Sequence, residues 1–407
     1  MAELLKNCFL ENKDLILKIL EQSTEVMACI SRDLSPLFAI VAPFVKLGVE
    51  SVESKEAQFM KEQFMKLGDR LKTIFEENRQ INEEIKKSQI DNFYSSRENN
   101  LTNHFRKLMD MIKVKDERVR QVRKEMFMRT FEKMDGERDM NSLYDAVTGN
   151  NGFGESILDM ALNYEQKSRR RVEEYCAMLK QLFCIGLIAL LAYTAMKGEG
   201  KEEELLQKWN KKMKVIQSKI DEVIKECINS FPTQAEQDAE HIVREHVDKN
   251  NQQLADMLMD HLKKKYDWVC WSVRVFNSPK GLFAKKKDFQ GAMGKSQFQV
   301  SVSDKKLNVV ISYSASPKPV DKALMLQLIL AQNKCTYKRS SMMVMAEKLF
   351  VTTPYGVVHT VKTSCKDLVF SYSFSVEQHF SVKLQNVYVF LHSENEGNRI
   401  EGNEGTG

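Results

Sequence analysis

The chain has 407 residues, of which 43% are hydrophobic and 29% are charged, as in an ordinary soluble globular protein. Its length allows two domains or three small ones. The formal net charge of +5 fits weak attraction to an anionic membrane surface and gives no reason to expect nucleic acid as a partner. With 21 Met and only 7 Pro, the composition favours long helices.

The cysteines and the start of the chain bear on the cellular compartment. The 8 cysteines are scattered, with no Cys-x-x-Cys pair and no zinc-finger spacing. The first segment, MAELLKNCFLENKDLILKIL, lacks the basic region, apolar core and cleavage site of a secretory signal. We therefore expect a reducing compartment and an intracellular protein, cytoplasmic, membrane-associated or both.

The first unusual segment along the chain is LSPLFAIVAPFVKLGVE, from Leu34 to Glu50. It is apolar nearly all round and is interrupted by Pro36 and Pro43. Such a segment either pairs with a second apolar helix at the centre of a bundle or is released from a soluble form into a lipid bilayer. For the second alternative, the candidate membrane-contacting residues are Phe38, Ile40, Val41 and Phe44.

Narrow apolar stripes with helical spacing run from about Glu3 to Tyr266. The first stripe alternates spacings of three and four and includes polar Asn78, of the kind that fixes register in coiled coils. It comprises Ala57, Met60, Phe64, Leu67, Leu71, Ile74, Asn78, Ile81 and Ile85. The second comprises Phe105, Leu108, Ile112, Lys115, Val119, Val122 and Met126. The third comprises Leu206, Trp209, Met213, Ile216, Ile220, Val223 and Cys227.

Each stripe needs other helices to cover it, because so narrow an apolar face is buried only against neighbouring helices. Turn signals interrupt the pattern near Ser95 (SSREN), Asp135 (MDGERD), Gly149 (TGNNGFGES) and Gly198 (KGEG). These interruptions predict a long antiparallel bundle formed within one chain. The alternative is a parallel intermolecular coiled coil, so oligomerisation is also considered.

The most apolar stretch of the chain is LFCIGLIALLAYTAM, from Leu182 to Met196. Its roughly 15 residues are fewer than the 20 or so that cross a hydrocarbon core, so a buried core helix is favoured over membrane insertion, and insertion over a permanent span. A ridge of small residues lets another helix approach closely, and it comprises Gly186, Ala189, Ala192 and Ala195. The candidate membrane-contacting residues are Leu182, Ile185, Leu187, Ile188, Leu190 and Leu191.

A basic cluster precedes this stretch and comprises Lys167, Arg169, Arg170 and Arg171. A cation next to an anionic leaflet contributes about 1 kcal/mol, so the cluster is a candidate for docking the protein before any insertion. The simplest alternative is a solvated helix surface, and the same applies to the short basic run AKKKD at Ala284–Asp288.

Beyond Trp268 the hydrophobic period changes from helical to two. The runs are WVCWSVRVF, SQFQVSVSDKKLNVVISYS, LFVTTPYGVVHTVKTS and LVFSYSFSVEQHFSVKLQNVYVFL. One helical insertion is predicted at Asp321–Gln332. The sequence thus predicts an α+β protein. It has a helical bundle over 1–265, a smaller β-rich domain (sandwich-like or α+β) over 267–392, and a disordered polar tail over 393–407.

No motif indicates catalysis. TGNNGFGES lacks the Lys-Ser/Thr pair and the preceding apolar strand of a phosphate-binding loop, and is read as a turn in which Glu155 or Ser156 assists the next helix start. His241 and His246 are five residues apart, whereas a metal-binding pair on a helix needs a spacing of three or four. We expect a non-enzymatic protein with no catalytic residues, no cofactor and no metal.

Three stretches resemble the rapunzel family of bony-fish proteins: FVKLGVESVESKEAQFMKEQFMKLGDRL, NFYSSRENNLTNHFRKLM and DMALNYEQKSRRRVEEYCAMLKQLFCIGLIALLAYTAM. The resemblance covers roughly residues 25–265. The resemblance implies a non-enzymatic fish protein with a role in fin and skeletal growth, and it carries over no catalytic residue. A helical bundle before a β-rich domain also resembles some cnidarian and bacterial pore-forming toxins in architecture, which does not establish function.

The favoured function is interaction with membranes, or with partners at membranes, through the apolar segments Leu34–Val49 and Leu182–Met196. Membrane lipid, a protein partner or both are expected, and nucleic acid is not. Burial in lipid would replace burial in protein, so the exchange would be close to balanced. The alternative is a soluble interaction module whose apolar helices stay in the bundle core.

Overall fold

The computed structural model describes residues 90–150, 155–279, 289–332, 341–353 and 355–395, with a few isolated positions between 62 and 73. The first apolar segment, with Phe38, Ile40, Val41 and Phe44, lies outside the described residues, as do the first stripe, the AKKKD run and most of the predicted tail. By its packing the chain divides into two compact units, Met1–Cys227 and Ile228–Gly407, called here the helical unit and the β unit.

Within the described residues, seven helices precede the first strand. They are α1 (Ile90–Lys113), α2 (Glu117–Lys133), α3 (Gly136–Thr148), α4 (Ile157–Tyr164), α5 (Arg169–Lys197), α6 (Glu202–Glu245) and α7 (Asn251–Lys265). Side-chain oxygens cap several starts: Asp116, Asp135 and Ser156 accept from the backbone N–H three residues on. Gly149 and Gly198 end α3 and α5 in the left-handed conformation that glycine adopts without strain. The turns predicted near Asp135, Gly149 and Gly198 are therefore confirmed.

Consecutive helices in the helical unit run antiparallel in two cases. Phe183 of α5 lies 6.3 Å from Trp209 of α6 between ring centroids, and Lys167, just before α5, pairs with Glu226 farther along α6. In α1 and α2, Lys107 Nζ donates to Thr130 Oγ1 at 2.8 Å, while Asn103 lies against Met134. In each pair, contacts farther along one helix meet positions nearer the start of the other. The two helices of each pair are therefore antiparallel, as the sequence predicts.

Two helical predictions are wrong. SSREN does not form a loop, because it lies inside α1, where Glu98 is buried and Asn100 Nδ2 donates to Asp139 Oδ2 at 2.9 Å. Tertiary partners there outweigh the turn preference of Ser and Asn. The second stripe is not continuous, because α1 ends at Lys113 and Asp116 caps a new helix. The third stripe is confirmed as a buried face from Trp209 to Cys227.

The β unit contains nine described strands and two further helices. They are β1 (Cys270–Asn277), β2 (Gln290–Met293), β3 (Gln297–Val302), β4 (Leu307–Ser314), β5 (Pro317–Lys318), α8 (Lys322–Gln332), α9 (Ser341–Thr352), β6 (Val357–Lys362), β7 (Lys366–Tyr372), β8 (His379–Lys383) and β9 (Val387–Glu394). All pairings are antiparallel. One sheet has the order β3-β4-β1-β7, and the other has β2-β6-β9-β5 with β8 also paired to β9. The predicted α+β class, with helices followed by antiparallel sheets, is confirmed.

The two sheets of the β unit face each other and each carries helices on its outer face. His392 of β9 reaches Ser312 of β4, and the guanidinium of Arg274 on β1 lies over the ring of Phe390 on β9. Outside the first sheet, the end of α6 and α7 pack through residues such as Phe231 and Leu258. Helices α8 and α9 cover the second sheet. The inner layer is thus enclosed from both sides.

The predicted helical insertion at Asp321–Gln332 is confirmed as α8, whereas the strand expected at LFVTT is wrong. Those residues end α9, because Met342, Met345 and Leu349 recur at helical spacing and are buried against the second sheet. The predicted boundary near residue 265 follows the change from helix to strand. The packing units divide earlier, inside α6, because the last turns of that helix belong to the β-unit core.

Candidate functional site

Helix α5 occupies the middle of the helical-unit core. The six predicted membrane-contacting residues on it are all buried, and they are Leu182, Ile185, Leu187, Ile188, Leu190 and Leu191. Within the described part of the chain, α5 is the one helix that is long and apolar enough to cross a membrane by length and composition. In its most apolar 18-residue window 89% of the residues are buried, as in the core helix of a soluble protein. The structure thus places the stretch inside protein.

Four other helices touch α5 at named positions. A Cβ at Gly186 would overlap the sulfur of Met140 on α3 and come within 3.2 Å of Leu101 Cδ2 on α1. The small-residue ridge therefore lets α1 and α3 approach closely, as its spacing predicts. Phe183 packs on Trp209 of α6, and Tyr193 stacks on Phe131 of α2 at 4.6 Å between ring centroids.

The far end of α5 is more open and more polar than its middle. Tyr193, Thr194, Ala195 and Met196 are half-buried, whereas Ala192 is fully buried. The Tyr193 hydroxyl donates to Glu132 Oε1 at 2.8 Å, which fixes this end of α5 to α2. Separation of the two helices would break this hydrogen bond and the ring stack beside it.

The predicted basic cluster lies at the start of α5, and each cation faces a carboxylate. Lys167 Nζ lies 2.8 Å from Glu226, Arg169 Nε 3.7 Å from Glu173, Arg170 Nε 3.1 Å from Glu174, and Arg171 Nη1 3.6 Å from Glu174. Arg170 is the most exposed, with 67% of its side-chain surface open to solvent. An exposed ion pair such as that of Arg170 contributes little stability.

One buried titratable residue of this core was missed by the sequence analysis. His104 of α1 is fully buried, and its ring lies 4.8 Å from that of Phe131. Neither ring nitrogen has a hydrogen-bond partner among the described residues. Burial, with the nearby Lys107 charge, lowers the pKa of His104 to about 4, so the ring is neutral at pH 7. Its helical spacing from the apolar residues Leu101, Phe105 and Leu108 is the sequence signal that could have predicted its burial.

In the parts of the chain that the structure describes, no group of three or more His, Cys, Asp or Glu side chains is placed to hold a metal ion. His241 pairs with Glu245 at 3.3 Å on the helix surface. His261 instead lies 3.3 Å from buried Asp238, which also accepts hydrogen bonds from Lys265 and Tyr266. His241 therefore takes part in a surface contact and His261 in an interhelical one.

Comparisons with known proteins locate the similarity of this chain in its helical part. The family described as "Cephalotoxin-like middle helical domain" matches residues 50–249, a range that ends before β1. Protein rapunzel of Danio rerio is 31% identical to this chain over 194 residues, which is 47% of this chain and 85% of that protein. No solved structure matches the chain.

Proposed function

This chain belongs to the rapunzel family, and on that premise we propose that it is a non-enzymatic membrane-interacting protein whose α5 helix is stored in the bundle and enters lipid after docking. The single observation that carries the proposal is that α5 has the length and composition of a membrane segment. The toxin-like family description of residues 50–249 supports it. A role in fin and skeletal growth belongs to the same proposal and rests on family membership alone.

The dimensions of α5 support the storage idea. Its most apolar 18-residue window corresponds to about 27 Å of helix, against about 30 Å for a hydrocarbon core. From Leu182 to Ala192 the helix is apolar on every side and fully enclosed, although a helix of a soluble bundle needs only an apolar stripe. Lipid would therefore bury the same apolar side chains that Leu101, Met140 and Trp209 bury in the bundle. Because burial in lipid replaces burial in protein, a modest free energy of docking is enough to shift the equilibrium from the stored to the inserted helix.

The basic cluster supplies the docking step of the proposal. It lies at the start of α5, so cations bound to an anionic surface would bring the buried part of the helix next to the bilayer. In this scheme the proposed partner is membrane lipid. Four free thiols among the described residues, Cys176, Cys227, Cys270 and Cys365, support a reducing, intracellular location.

The test is flotation of the full-length protein with neutral and anionic vesicles, followed by an alkaline carbonate wash and dye release. Arg170→Glu changes the local charge by two, and at about 1 kcal/mol per charge we expect at least tenfold weaker binding to anionic vesicles. The matched control is Arg244→Glu on α6, whose side chain is 75% exposed and pairs with Glu240 as Arg170 pairs with Glu174. The control should bind as the wild type does.

Insertion has a native reporter in Trp209, which is buried against Phe183 of α5. If α5 leaves the bundle, Trp209 loses that contact, so its emission should shift when anionic vesicles are added, and the Trp209→Phe variant should lack the shift. Protein that resists the carbonate wash and releases dye supports insertion. Protein that stays at the bottom of the gradient under every lipid and salt condition contradicts the proposal.

A second candidate function is a soluble protein-interaction module, and an exposed apolar stripe on α2 favours it. Val119, Val122 and Met126 share one helix face and are 46%, 56% and 47% exposed. In this alternative α5 never leaves the core, and the stripe contacts a protein partner. The same flotation experiment separates the two candidates, because a module of this kind neither floats nor releases dye.

A further inference from the structure

The layer between the two sheets of the β unit is polar at one end, which is unusual for the inside of a sandwich. The polar residues there are at most 4% exposed, and they are Ser272, Arg274, Ser312, Ser314, His379 and His392. Strands β1 and β4 supply the first four, and β8 and β9 supply the two histidines. Phe276, Val310 and Phe390 fill the apolar part of the same layer.

Arg274 is a buried cation without an ion pair among the described residues. Its Nη2 donates to Ser312 Oγ at 2.6 Å and to the Ser272 carbonyl at 3.4 Å, and its guanidinium lies 5.7 Å from the centre of the Phe390 ring. Its Nε–H has no hydrogen-bond partner in the described part of the chain. Burial lowers the pKa of Arg274 to about 9, so the group stays charged at neutral pH. A buried charge balanced by neutral oxygens alone is costly.

The neighbouring histidines add hydrogen-bond donors and no negative charge. Ser312 Oγ accepts from Arg274 and lies 3.0 Å from His392 Nε2. In the tautomer in which Ser312 donates its hydroxyl proton to Nε2, the imidazole proton of His392 lies on Nδ1. That Nδ1–H is buried and has no partner among the described residues, and the same holds for His379 Nε2. Burial and the Arg274 charge lower the pKa of His379 to about 3 and hold that of His392 well below its ordinary value.

We propose that Arg274, His392 and His379 bind a small inorganic anion of chloride size between the two sheets. An anion there neutralises the guanidinium and accepts the N–H groups that otherwise lack partners. The small size follows from the enclosure, because helices cover both outer faces and none of these side chains is open to solvent. The proposal concerns only the β unit and is independent of membrane insertion by α5.

The test is thermal unfolding of the full-length protein in sodium chloride and in sodium gluconate at equal ionic strength. A ligand that binds only the folded state stabilises with the logarithm of its concentration, so we expect a rise in Tm of about 3–5 °C per tenfold chloride above its dissociation constant. In Arg274→Gln this chloride dependence should be lost. Arg244→Gln, which removes an exposed arginine, should retain it. Equal Tm values in the two salts, or a dependence that survives in Arg274→Gln, overturn the proposal.

A second measurement keeps the proposal testable if Arg274→Gln fails to fold. Wild-type crystals grown in sodium bromide should show an anomalous peak next to the Arg274 guanidinium, because bromide replaces chloride at such sites. His392→Phe keeps an apolar ring beside Phe374, which now stacks on His392 at 4.6 Å, and should lose the peak. A map without a bromide peak between the sheets overturns the anion site, and a water there would account for the donors.

Discussion

His104 is neutral in the folded helical unit because it is buried against Phe131 without a hydrogen-bond partner among the described residues. Its folded pKa is about 4, against 6.5 in the unfolded chain. Between these values the unfolded state binds one more proton, so the free energy of unfolding falls as the pH drops from about 6.5 to 4. The difference of about 2.5 in pKa corresponds to about 3 kcal/mol.

We therefore expect His104→Leu to flatten the loss of stability between pH 6.5 and 4. Urea unfolding at several pH values measures the free energy of unfolding of the variant and of the wild type. Their difference at each pH removes the contribution of the β-unit histidines, which both proteins share. His241→Leu is the control for loss of a histidine, since 71% of that side chain is exposed. If wild type and His104→Leu lose stability in parallel, the ring of His104 is not the group that takes up the proton.

At the scale of a helix, the close packing of α5 depends on Gly186. Alanine there adds a methyl group that overlaps the Met140 sulfur and crowds Leu101. Overpacking of a filled core costs about 1–3 kcal/mol, which outweighs the roughly 1 kcal/mol by which alanine favours a helix over glycine. We expect Gly186→Ala to lower the free energy of unfolding, as measured by urea denaturation.

The double variant Gly186→Ala, Met140→Ala supplies the control. Met140→Ala alone leaves a cavity, but in the double variant the new methyl group partly fills it. The two effects should therefore be non-additive, with a coupling of about 0.5–3 kcal/mol. Strictly additive losses would mean that the side chain of Met140 moves away freely and that α5 is packed less tightly than the structure indicates.

The sequence predicted helices and strands well where a single hydrophobic periodicity ran without competing turn signals. The third stripe, α8 and the β3–β4 hairpin follow from spacing alone, because their buried faces are regular. Where local and tertiary preferences disagreed, spacing failed. The SSREN residues stay helical because Glu98 is buried and Asn100 is hydrogen-bonded to Asp139. LFVTT belongs to α9 because helical spacing begins upstream at Met342.

The candidate site was predictable in part. The apolar residues and cations of α5 were read from composition, but the enclosing contacts join residues far apart in sequence, such as Phe131 and Tyr193. The polar layer of the β unit was missed for a related reason. Ser272 and Arg274 alternate with Trp271 and Val273, a pattern typical of a strand with one solvated face, and only the second sheet covers them.

At the scale of the whole molecule, each unit has its own core. The helical-unit core contains Trp209 and α5, whereas the β-unit core nearest to it along the chain begins at Phe231 and contains Trp271. No residue belongs to both clusters. Cores that share no residues usually give separate unfolding transitions, so we expect two transitions rather than one.

Leu187→Asp tests this independence. An unpaired carboxylate in place of buried Leu187 should cost more than about 4 kcal/mol and unfold the helical unit. Trp209 should then emit as in unfolded protein. Trp268 and Trp271 of the β unit, observed in a Trp209→Phe background, should keep their folded emission and their own transition. Val351→Asp on α9, where the side chain is 77% exposed, should change neither signal. If Leu187→Asp unfolds both units together, their stabilities are coupled through α6, which runs across the division at Cys227 and Ile228.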